Sequence, residues 1–282
     1  LFHFFNFLMQ KYDYIITGSG ASGLMLAYRM AKDSFFDNAS ILIIDKEKKT
    51  SNDRTWCFWE NDKGEWDDLV HKSWNKILFD SHSYKKSIPL QSYTYKMIRS
   101  AKFYEKLWNF IDSKNNISFI KANVTSISDT PEGAFVETST GQYRAVKLLN
   151  SIDLDQKYTR QEEYPVLLQH FTGWFIETKK NVFDDSVATF MDFTVDQKMN
   201  TRFMYVLPVS ANKALFEYTL FSKDILTKEE YERELQKYLE LNSISEYTII
   251  EKEKGIIPMT SFKFWQDNSK NILNIGTVGG WT

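Results

Sequence analysis

Two carboxylate side chains lie inside apolar runs of the sequence that have the character of β-strands. Asp192 lies within Thr-Phe-Met-Asp-Phe-Thr-Val at 189–195, and Glu217 lies within Ala-Leu-Phe-Glu-Tyr-Thr-Leu-Phe at 214–221. Burial raises the pKa of a carboxyl group, and an acid with a raised pKa can donate a proton near neutral pH. The alternative for each residue is a solvent-facing position on a half-exposed strand. Glu217 and Asp192 are therefore the candidate catalytic residues.

A glycine-rich turn at 18–23 is the second feature with chemical potential. It reads Gly-Ser-Gly-Ala-Ser-Gly, between a β-type run at 14–17 and a helical apolar pattern at 24–31, and a second β-run at 39–44 ends in an aspartate. In dinucleotide-binding folds such a turn brings backbone N–H groups to a pyrophosphate, and the acid accepts a ribose hydroxyl. The expected cofactor-binding residues here are Gly18, Ser19, Gly20, Ala21, Ser22, Gly23 and Asp45.

The glycine pattern has alternatives. A phosphate loop of the GxxxxGK[ST] type is excluded, because Leu24 and Met25 stand where it needs Lys and Ser or Thr. An ordinary glycine turn remains possible, and the pattern does not distinguish FAD from NAD. A second short strand at 271–275 enters another glycine turn far along the chain, which favours FAD, since a long cofactor needs two distant contacts. The glycines of this second turn are Gly276, Gly279 and Gly280.

A polar and aromatic run at 52–60 follows the second β-run. Its residues Arg54 and Trp56 are candidates for contact with the substrate or the cofactor. A salt bridge in a surface loop is an equally good interpretation of Arg54.

Composition excludes several classes of function. The 282 residues carry 35 Lys and Arg against 37 Asp and Glu, so the net charge of −2 predicts no general attraction to nucleic acid. The single cysteine excludes an internal disulfide, and the four histidines lack metal-ligand spacing, so no metal site is expected. No apolar run has the length of a membrane span. Aromatic residues reach 16%, enough to line an apolar pocket as well as fill a core.

These elements predict an α/β fold: a Rossmann-like FAD-binding layer with an inserted, mostly antiparallel β-sheet region for the substrate. The expected regions are 10–163 and 255–282 for FAD, with 164–254 for the substrate. An irregular stretch is expected at 46–95, a helix around 103–111 and a capped helix after Thr227, with Glu230 completing the capping box. Residues 1–8 are interpreted as upstream translation or a frayed end.

Several motifs together resemble the lycopene beta-cyclases, the bacterial FAD-dependent enzymes of carotenoid synthesis. The motifs that carry the resemblance lie at 13–23, 52–59, 169–174, 190–195, 202–208, 216–219, 255–259 and 276–280. Family members continue past the last glycine turn, so the resemblance implies a chain truncated at its C-terminus.

The resemblance implies an aromatic-hydroxylase-like flavoprotein fold and non-covalent FAD used in its reduced form, with NAD(P)H as the reductant. The implied reaction is an isomerisation without net redox change, in which a linear end group of a lycopene-like carotenoid becomes a beta-ionone ring. Glu217 matches the acid that the family needs for activity, whereas Tyr218 stands where many members carry a second acid. The carotenoid substrate further implies a cytoplasmic protein in peripheral contact with a membrane.

Two other classes of function remain open at this point. An FAD-dependent hydroxylase or desaturase acting on an apolar substrate would consume NAD(P)H stoichiometrically, whereas a cyclase needs it only to reduce the flavin. A dinucleotide-binding protein without catalysis would lose nothing but stability on replacement of Glu217.

Overall fold

The computed structural model describes residues 9–281. In chain order its strands and helices are β1 (Gln10–Thr17), α1 (Ala21–Lys32), β2 (Ile41–Asp45), β3 (Thr55–Asn61), β4 (Val70–Trp74), β5 (Lys76–Asp80), β6 (Lys85–Pro89), β7 (Tyr93–Arg99), α2 (Ser100–Ile111), β8 (Ile117–Lys121), β9 (Val124–Thr130), β10 (Gly133–Thr138), β11 (Gly141–Asn150), β12 (Val166–Thr178), β13 (Ala188–Asp192), β14 (Thr201–Ser210), β15 (Lys213–Ser222), α3 (Lys228–Leu241), β16 (Tyr247–Thr260) and β17 (Ile272–Asn274). Residues 1–8, interpreted above as upstream translation or a frayed end, lie outside the described part of the chain. No helix within 9–281 is long and apolar enough to cross a membrane.

The first compact unit comprises 9–51, 103–165 and 261–281 of the described chain. Its sheet has the order β8-β2-β1-β11-β10-β9, with β17 also paired to β11. The strands β8, β2, β1, β11 and β17 are parallel neighbours, and β9 and β10 extend the sheet in antiparallel fashion. All five residues of β2 are buried, which is typical of a central parallel strand. The predicted strand, glycine turn, helix and second strand are confirmed.

The second compact unit comprises 52–102 and 166–260. Its larger sheet has the order β16-β12-β15-β14-β13-β5-β6, and a smaller sheet has the order β3-β7-β4. The strands β16, β12, β15 and β14 are antiparallel neighbours, as predicted for the inserted sheet. Helix α3 covers one face of the larger sheet through Leu235 and Leu239, against Phe216 and Ile176. The opposite face packs Phe175 and other residues against the smaller sheet.

The structure differs from the sequence-based expectation in two places. The stretch at 46–95, expected to be irregular, contains the strands β3 to β6 and the start of β7. Short strands with mixed polar and aromatic residues carry a weak alternation signal. Strand β16 is also longer than the apolar pattern indicates, since its middle is an alternation of Glu and Lys. The compact units assign 52–102 and 255–260 to the sheet-rich unit, whereas the division into FAD and substrate regions at 163 and 254 stays a prediction.

Candidate functional site

In the first glycine turn, the absence of a side chain has a different physical consequence at each glycine. Gly18 has a φ of +93°, and a Cβ on it would overlap Ser151. A Cβ on Gly23 would overlap the carbonyl oxygen of Gly18, so this glycine lets α1 pack closely on β1. Gly20, in contrast, has ordinary extended backbone, and a Cβ on it would meet nothing within 4 Å. The backbone of Gly20 therefore faces open space that a side chain would fill.

Open space at Gly20 lies directly at the N-terminus of α1. Gly20 is the N-cap residue of this helix and has no side chain to accept its first N–H groups. Free N–H groups and the positive end of the helix dipole favour an anion at this position. The turn therefore fits a pyrophosphate, the group that links the two halves of a dinucleotide cofactor.

Asp45 lies at the end of β2 and is directed at the glycine turn. Its Oδ2 accepts hydrogen bonds from the backbone N–H of Ser19 at 2.5 Å and from the Ser19 hydroxyl at 2.9 Å. The carboxylate is buried and holds the turn in place. Both bonds use the same oxygen, so the predicted acceptance of a ribose hydroxyl by Asp45 stays a prediction.

The second glycine turn meets the first one within the same unit. Gly276 has a φ of +62°, and a Cβ on it would overlap the Ser22 hydroxyl of α1. Gly280 also has left-handed backbone, with a φ of +78°, and Gly279 packs against the carbonyl group of Asn274. The structure thus brings together the two glycine turns that the sequence predicts to hold one cofactor.

The second unit places two carboxyl groups side by side on three neighbouring strands. In the register of the larger sheet, Gly173 of β12 lies opposite Glu217 of β15 on one side and Glu253 of β16 on the other. Residues in register on neighbouring strands project to the same face. A Cβ on Gly173 would lie 3.1 Å from Cγ of Glu253 and 3.0 Å from Cδ1 of Leu215. The absence of a side chain at Gly173 therefore leaves the space in which the two carboxyl groups approach each other.

Each carboxyl group of this pair is held by a threonine. The Thr219 hydroxyl donates to Oε1 of Glu217 at 2.9 Å, and the Thr55 hydroxyl donates to Oε2 of Glu253 at 2.7 Å. The remaining Oε1 of Glu253 is buried and has no hydrogen-bond donor among the described residues when both carboxyl groups are ionised. A buried acceptor without a donor is costly. A proton on Glu217 would supply that donor.

The surroundings favour the protonated form of Glu217. Desolvation by burial, followed by the negative charge of Glu253, raises the pKa of Glu217 to about 8. Burial also raises the pKa of Glu253, while the hydrogen bond from Thr55 and the charge of Arg99 act in the opposite direction. Two carboxyl groups this close cannot both ionise at little cost. The pair therefore favours retention of one proton, and the causes that raise the pKa of Glu217 favour Glu217 as its carrier.

An aromatic cluster formed by both sheets of the second unit begins at Tyr205, next to this pair. Tyr205 lies opposite Glu217 in the register of β14 and β15. The ring of Phe190 lies 5.8 Å from that of Tyr205 and 5.7 Å from that of Tyr95, and Trp59 lies 4.5 Å from Tyr95. These separations are those of edge-to-face and stacked aromatic contacts. The cluster therefore lies on the face of the larger sheet that carries Glu217.

A groove of about 740 Å³ runs along β16, the edge strand of the larger sheet. Its apolar lining comes from Phe171, Ile225, Leu226, Tyr231 and Ile256, and its cationic lining from Arg54, Lys228, Lys252 and Lys254. Glu253 also lines the groove, and its side chain is only 8% exposed. Lys252 lies over the Trp174 ring on the α3 face of the sheet, so the side chain of the next residue, Glu253, points to the opposite face.

Asp192 occupies the other face of the larger sheet. It lies in register with Met204, which belongs to the core under α3, and its Oδ2 accepts a hydrogen bond from the Tyr238 hydroxyl at 2.6 Å. Its Oδ1 accepts the backbone N–H of Thr194 at 2.9 Å. The structure therefore does not bring Asp192 together with Glu217, and the catalytic role predicted for Asp192 stays a prediction.

The two residues singled out at 52–60 have separate positions. The Arg54 side chain is exposed and donates to the backbone carbonyl groups of Asp53 and of Lys254, at 2.6 Å and 3.1 Å. These two bonds fix the Arg54 side chain at the groove. Trp56 is partly buried in β3 and lies opposite Ile98 of β7.

Comparison with known proteins agrees with this arrangement. The family model described as lycopene cyclase protein matches residues 13–282. The chain belongs to the lycopene cyclase family. It is 26% identical to the lycopene beta-cyclase of Pantoea ananas over 272 aligned positions, and the match covers 92% of this chain and 66% of that protein. The chain thus spans just under two thirds of the length of this relative.

Solved structures support the flavoprotein fold. A geranylgeranyl bacteriochlorophyll reductase-like protein of Thermoplasma acidophilum matches 96% of this chain and 72% of its own, with a TM-score of 0.68 and 14% identity. A flavoprotein/dehydrogenase of Cytophaga hutchinsonii matches 95% of this chain and 71% of its own, with a TM-score of 0.60 and 12% identity. The lycopene cyclase chain therefore has the predicted Rossmann-like flavoprotein fold.

Sequence reasoning missed Glu253. It lies in Glu-Lys-Glu-Lys at 251–254, a run that resembles a solvated surface segment. A signal was present, because Glu251, Glu253, Gly255 and Ile257 alternate along one strand face that ends in the apolar run at 255–259. The in-register Gly173 became informative only when the pairing of β12 and β16 was known.

Proposed function

We propose that this protein is a lycopene beta-cyclase, which converts a linear carotene end group into a beta-ionone ring without net redox change. The observation that carries the proposal is the position of the Glu217 carboxyl group beside that of Glu253, across Gly173, where desolvation raises the pKa of Glu217 to about 8. Family membership and the Pantoea relative give the substrate class, a lycopene-like carotenoid.

The reaction needs an acid strong enough to protonate an alkene in a site without competing bases. Glu217 donates its proton to the terminal double bond of the end group, and a tertiary carbocation forms. The neighbouring double bond attacks this cation and closes a six-membered ring, and loss of one proton restores neutrality. One proton enters and one leaves, so the product is an isomer of the substrate.

The aromatic residues around Glu217 stabilise the positive charge of the intermediate. Tyr205, Tyr95, Phe190 and Trp59 offer electron-rich ring faces, and a cation over such a face gains about 0.5 to 2 kcal/mol. The same rings exclude water, which would otherwise trap the cation as an alcohol.

The proposed cofactor is FAD, reduced by NAD(P)H. Residues of the two glycine turns would hold it: the backbone at Gly20 and the N-terminus of α1 at the pyrophosphate, with Asp45 and the turn at Gly276 beside them. Reduced FAD, when bound, supplies negative charge that stabilises a cationic transition state.

The substrate class leads to a proposal about location. A carotene is a hydrocarbon held in a bilayer, so we propose a cytoplasmic protein in peripheral contact with the membrane. Exposed apolar side chains near the groove support such contact: Ile225, Ile256 and Met259 are between 40% and 54% exposed.

The test is anaerobic incubation of the protein with lycopene, FAD and NADPH, followed by chromatography of the carotenoids and assay of NADPH. The proposal predicts ringed products, with NADPH consumed only in the amount that reduces the flavin. Stoichiometric consumption of NADPH per product, or oxygenated or desaturated products, would support the flavin-dependent hydroxylase or desaturase instead.

A further inference from the structure

Five aromatic side chains of the second unit form a strip that proton donation by Glu217 does not require. In order along this aromatic strip they are Tyr205, Phe203, Phe193, Phe79 and Tyr84. The centroids of successive rings lie 5.1, 5.4, 5.5 and 6.1 Å apart in that order. These are the separations of aromatic side chains in contact. The strip is therefore one continuous apolar surface within the second unit.

The aromatic strip begins beside the proton donor. Tyr205 of β14 lies opposite Glu217 of β15, and Phe203 lies opposite Thr219, whose hydroxyl donates to Glu217. Residues in register on neighbouring strands project to the same face of a sheet. From there the strip crosses β14 and the end of β13 to Phe79 of β5, and these strands are consecutive neighbours in the larger sheet. With strands about 4.8 Å apart, Phe79 lies about 14 Å from Glu217 across the sheet.

The carboxylates of the same strands point away from the aromatic strip. Asp192 of β13 accepts the hydroxyl of Tyr238, which belongs to α3 on the other face of the sheet. Asp80 of β5 lies in register with Asp192 and therefore shares that face. Lys86 of the edge strand β6 lies opposite Phe79, at the outer end of the strip. A hydrocarbon on the strip thus lies on rings and not on these carboxylates.

Exposure distinguishes the aromatic strip from an ordinary core. Phe203 is 1% exposed, Phe193 and Phe79 are partly exposed, and Tyr84, in the turn between β5 and β6, is 52% exposed. The solvated face of an antiparallel sheet normally carries polar side chains, and a contiguous exposed apolar surface marks a binding site. Packing in a core explains Phe203 but not a row of rings that continues to the surface at Tyr84.

The chemistry of the aromatic strip selects its ligand. Phe203, Phe193 and Phe79 offer flat carbon surfaces without hydrogen-bond donors or acceptors. An extended, conjugated hydrocarbon gains dispersion contacts with such rings along its whole length and needs no polar partner there. The carotene of the proposed function has this chemistry, and only its end group has to reach Glu217.

We infer that the aromatic strip binds the polyene chain of the substrate and so holds the linear end group at Glu217. The chain lies across the rings from Tyr205 to Tyr84, and the remainder of the molecule leaves the protein at Tyr84. The inference rests on the proposed function for the identity of the ligand. No bond forms or breaks on the strip, so its residues are substrate-binding residues that position the reacting end group.

The test measures binding of lycopene, dispersed in detergent micelles, to the Glu217→Gln variant, which should not convert it. Free lycopene is achiral, so circular dichroism in its visible absorption band comes from bound molecules. In this parent variant, Tyr84→Ser removes one ring of the strip and should lower the affinity at least about threefold. The further change Phe79→Leu should bring the loss to at least about tenfold. Tyr93→Ser, the same change at a 56% exposed tyrosine of β7, is the matched control and should bind like the parent.

Tyr84→Ser changes an exposed side chain, so it tests the aromatic strip even if the change at Phe79 prevents folding. Parent affinity in the folded strip variants, or absence of dichroism in the parent, would overturn the inference. Weaker flotation of the strip variants with carotene-free liposomes, without weaker lycopene binding, would also overturn it, because the strip would then be a membrane contact. Failure of the proposed cyclase activity would appear separately, as absence of ringed products from the wild type.

Discussion

At the scale of single residues, Glu217 combines two properties that rarely occur together. Its carboxyl group is held in a fixed orientation by Thr219, and it stays protonated because Glu253 and desolvation both oppose its ionisation. A carboxyl group in ordinary solvent would be ionised at pH 7 and could not protonate an alkene. The function of the site therefore depends on the neighbours of Glu217 as much as on Glu217 itself.

Glu217→Gln should abolish most of the cyclisation activity. The amide keeps the size and hydrogen bonding of the side chain but has no transferable proton, so the rate should fall by about 10² to 10⁴-fold. Flavin binding, measured by fluorescence titration, should stay near the wild-type value, because the two glycine turns expected to hold FAD do not include Glu217. Normal cyclisation by this variant with intact flavin binding would make Glu217 a structural residue.

The ionisation of Glu217 should affect both the rate of cyclisation and the free energy of unfolding. Because the protonated form is the donor, cyclisation should decline as the pH rises through about 8. A carboxyl group whose folded pKa is raised contributes its full stability below the unfolded value, about 4.3, and loses it as the pH rises through the folded value. The free energy of unfolding of the wild type should therefore fall between about pH 5 and 8 relative to that of Glu217→Gln.

Denaturant titrations of both proteins at several pH values measure that difference. The destabilisation of the wild type relative to Glu217→Gln should grow with pH and become constant above about pH 8. A difference independent of pH would mean that Glu217 ionises at its ordinary pKa. The pH at which activity declines should also move to lower values in Glu253→Gln, because removal of the neighbouring charge lowers the pKa of Glu217.

At the scale of elements, Gly20 in the turn before α1 is a position where a substitution should weaken FAD binding without disturbing the fold. Gly20→Val should leave the fold intact, because the backbone of Gly20 is ordinary and its Cβ position is open. The valine side chain would occupy the space expected for the pyrophosphate, so FAD affinity should drop by at least about tenfold. Circular dichroism and flavin titration check the two expectations.

A matched control exists in the same unit. Gly141 also has room for a Cβ, which would only touch the ring of Tyr143 at 3.5 Å or more. Gly141→Ala should therefore bind FAD like the wild type. Wild-type FAD affinity in Gly20→Val would show that the turn does not approach the cofactor.

Sequence reasoning succeeded for elements whose signal is local. The unit of β1, turn, α1 and β2 was predicted because its apolar periodicity changes from strand to helix around three glycines. Strand β15 and the capping box of Thr227 with Glu230 were predicted on the same kind of local evidence, and both are present. Glu217 was found because a carboxylate interrupts an apolar alternation.

What the sequence could not give is the pairing of distant strands. Glu253 lies in a charged stretch of β16, and its importance comes from the register that sets it opposite Gly173. Asp192 illustrates the reverse case, because its apolar neighbours resemble those of Glu217 while the strand register places it under α3 with Tyr238. Which face of a sheet a residue occupies is a non-local property.

At the scale of the whole molecule, the proposed membrane contact should not depend on charge. The net charge is −2, and no helix within 9–281 could span a bilayer. Contact through exposed apolar side chains should persist at 1 M salt, where electrostatic attraction is screened within about 3 Å. Flotation with liposomes at low and high salt measures this. Release by high salt alone would require an electrostatic mode of attachment instead.

The central claim is that ring formation begins with addition of a solvent-exchangeable proton to the end group and involves no net redox change. Its most direct test is the mass of the product formed anaerobically by the protein, equilibrated in D₂O with FAD and NADPH, from unlabelled lycopene. A proton donor such as Glu217 exchanges with solvent, so the account predicts one deuterium per ring and an otherwise isomeric product. A ringed product without deuterium, or one that has gained oxygen or lost hydrogen, would contradict it.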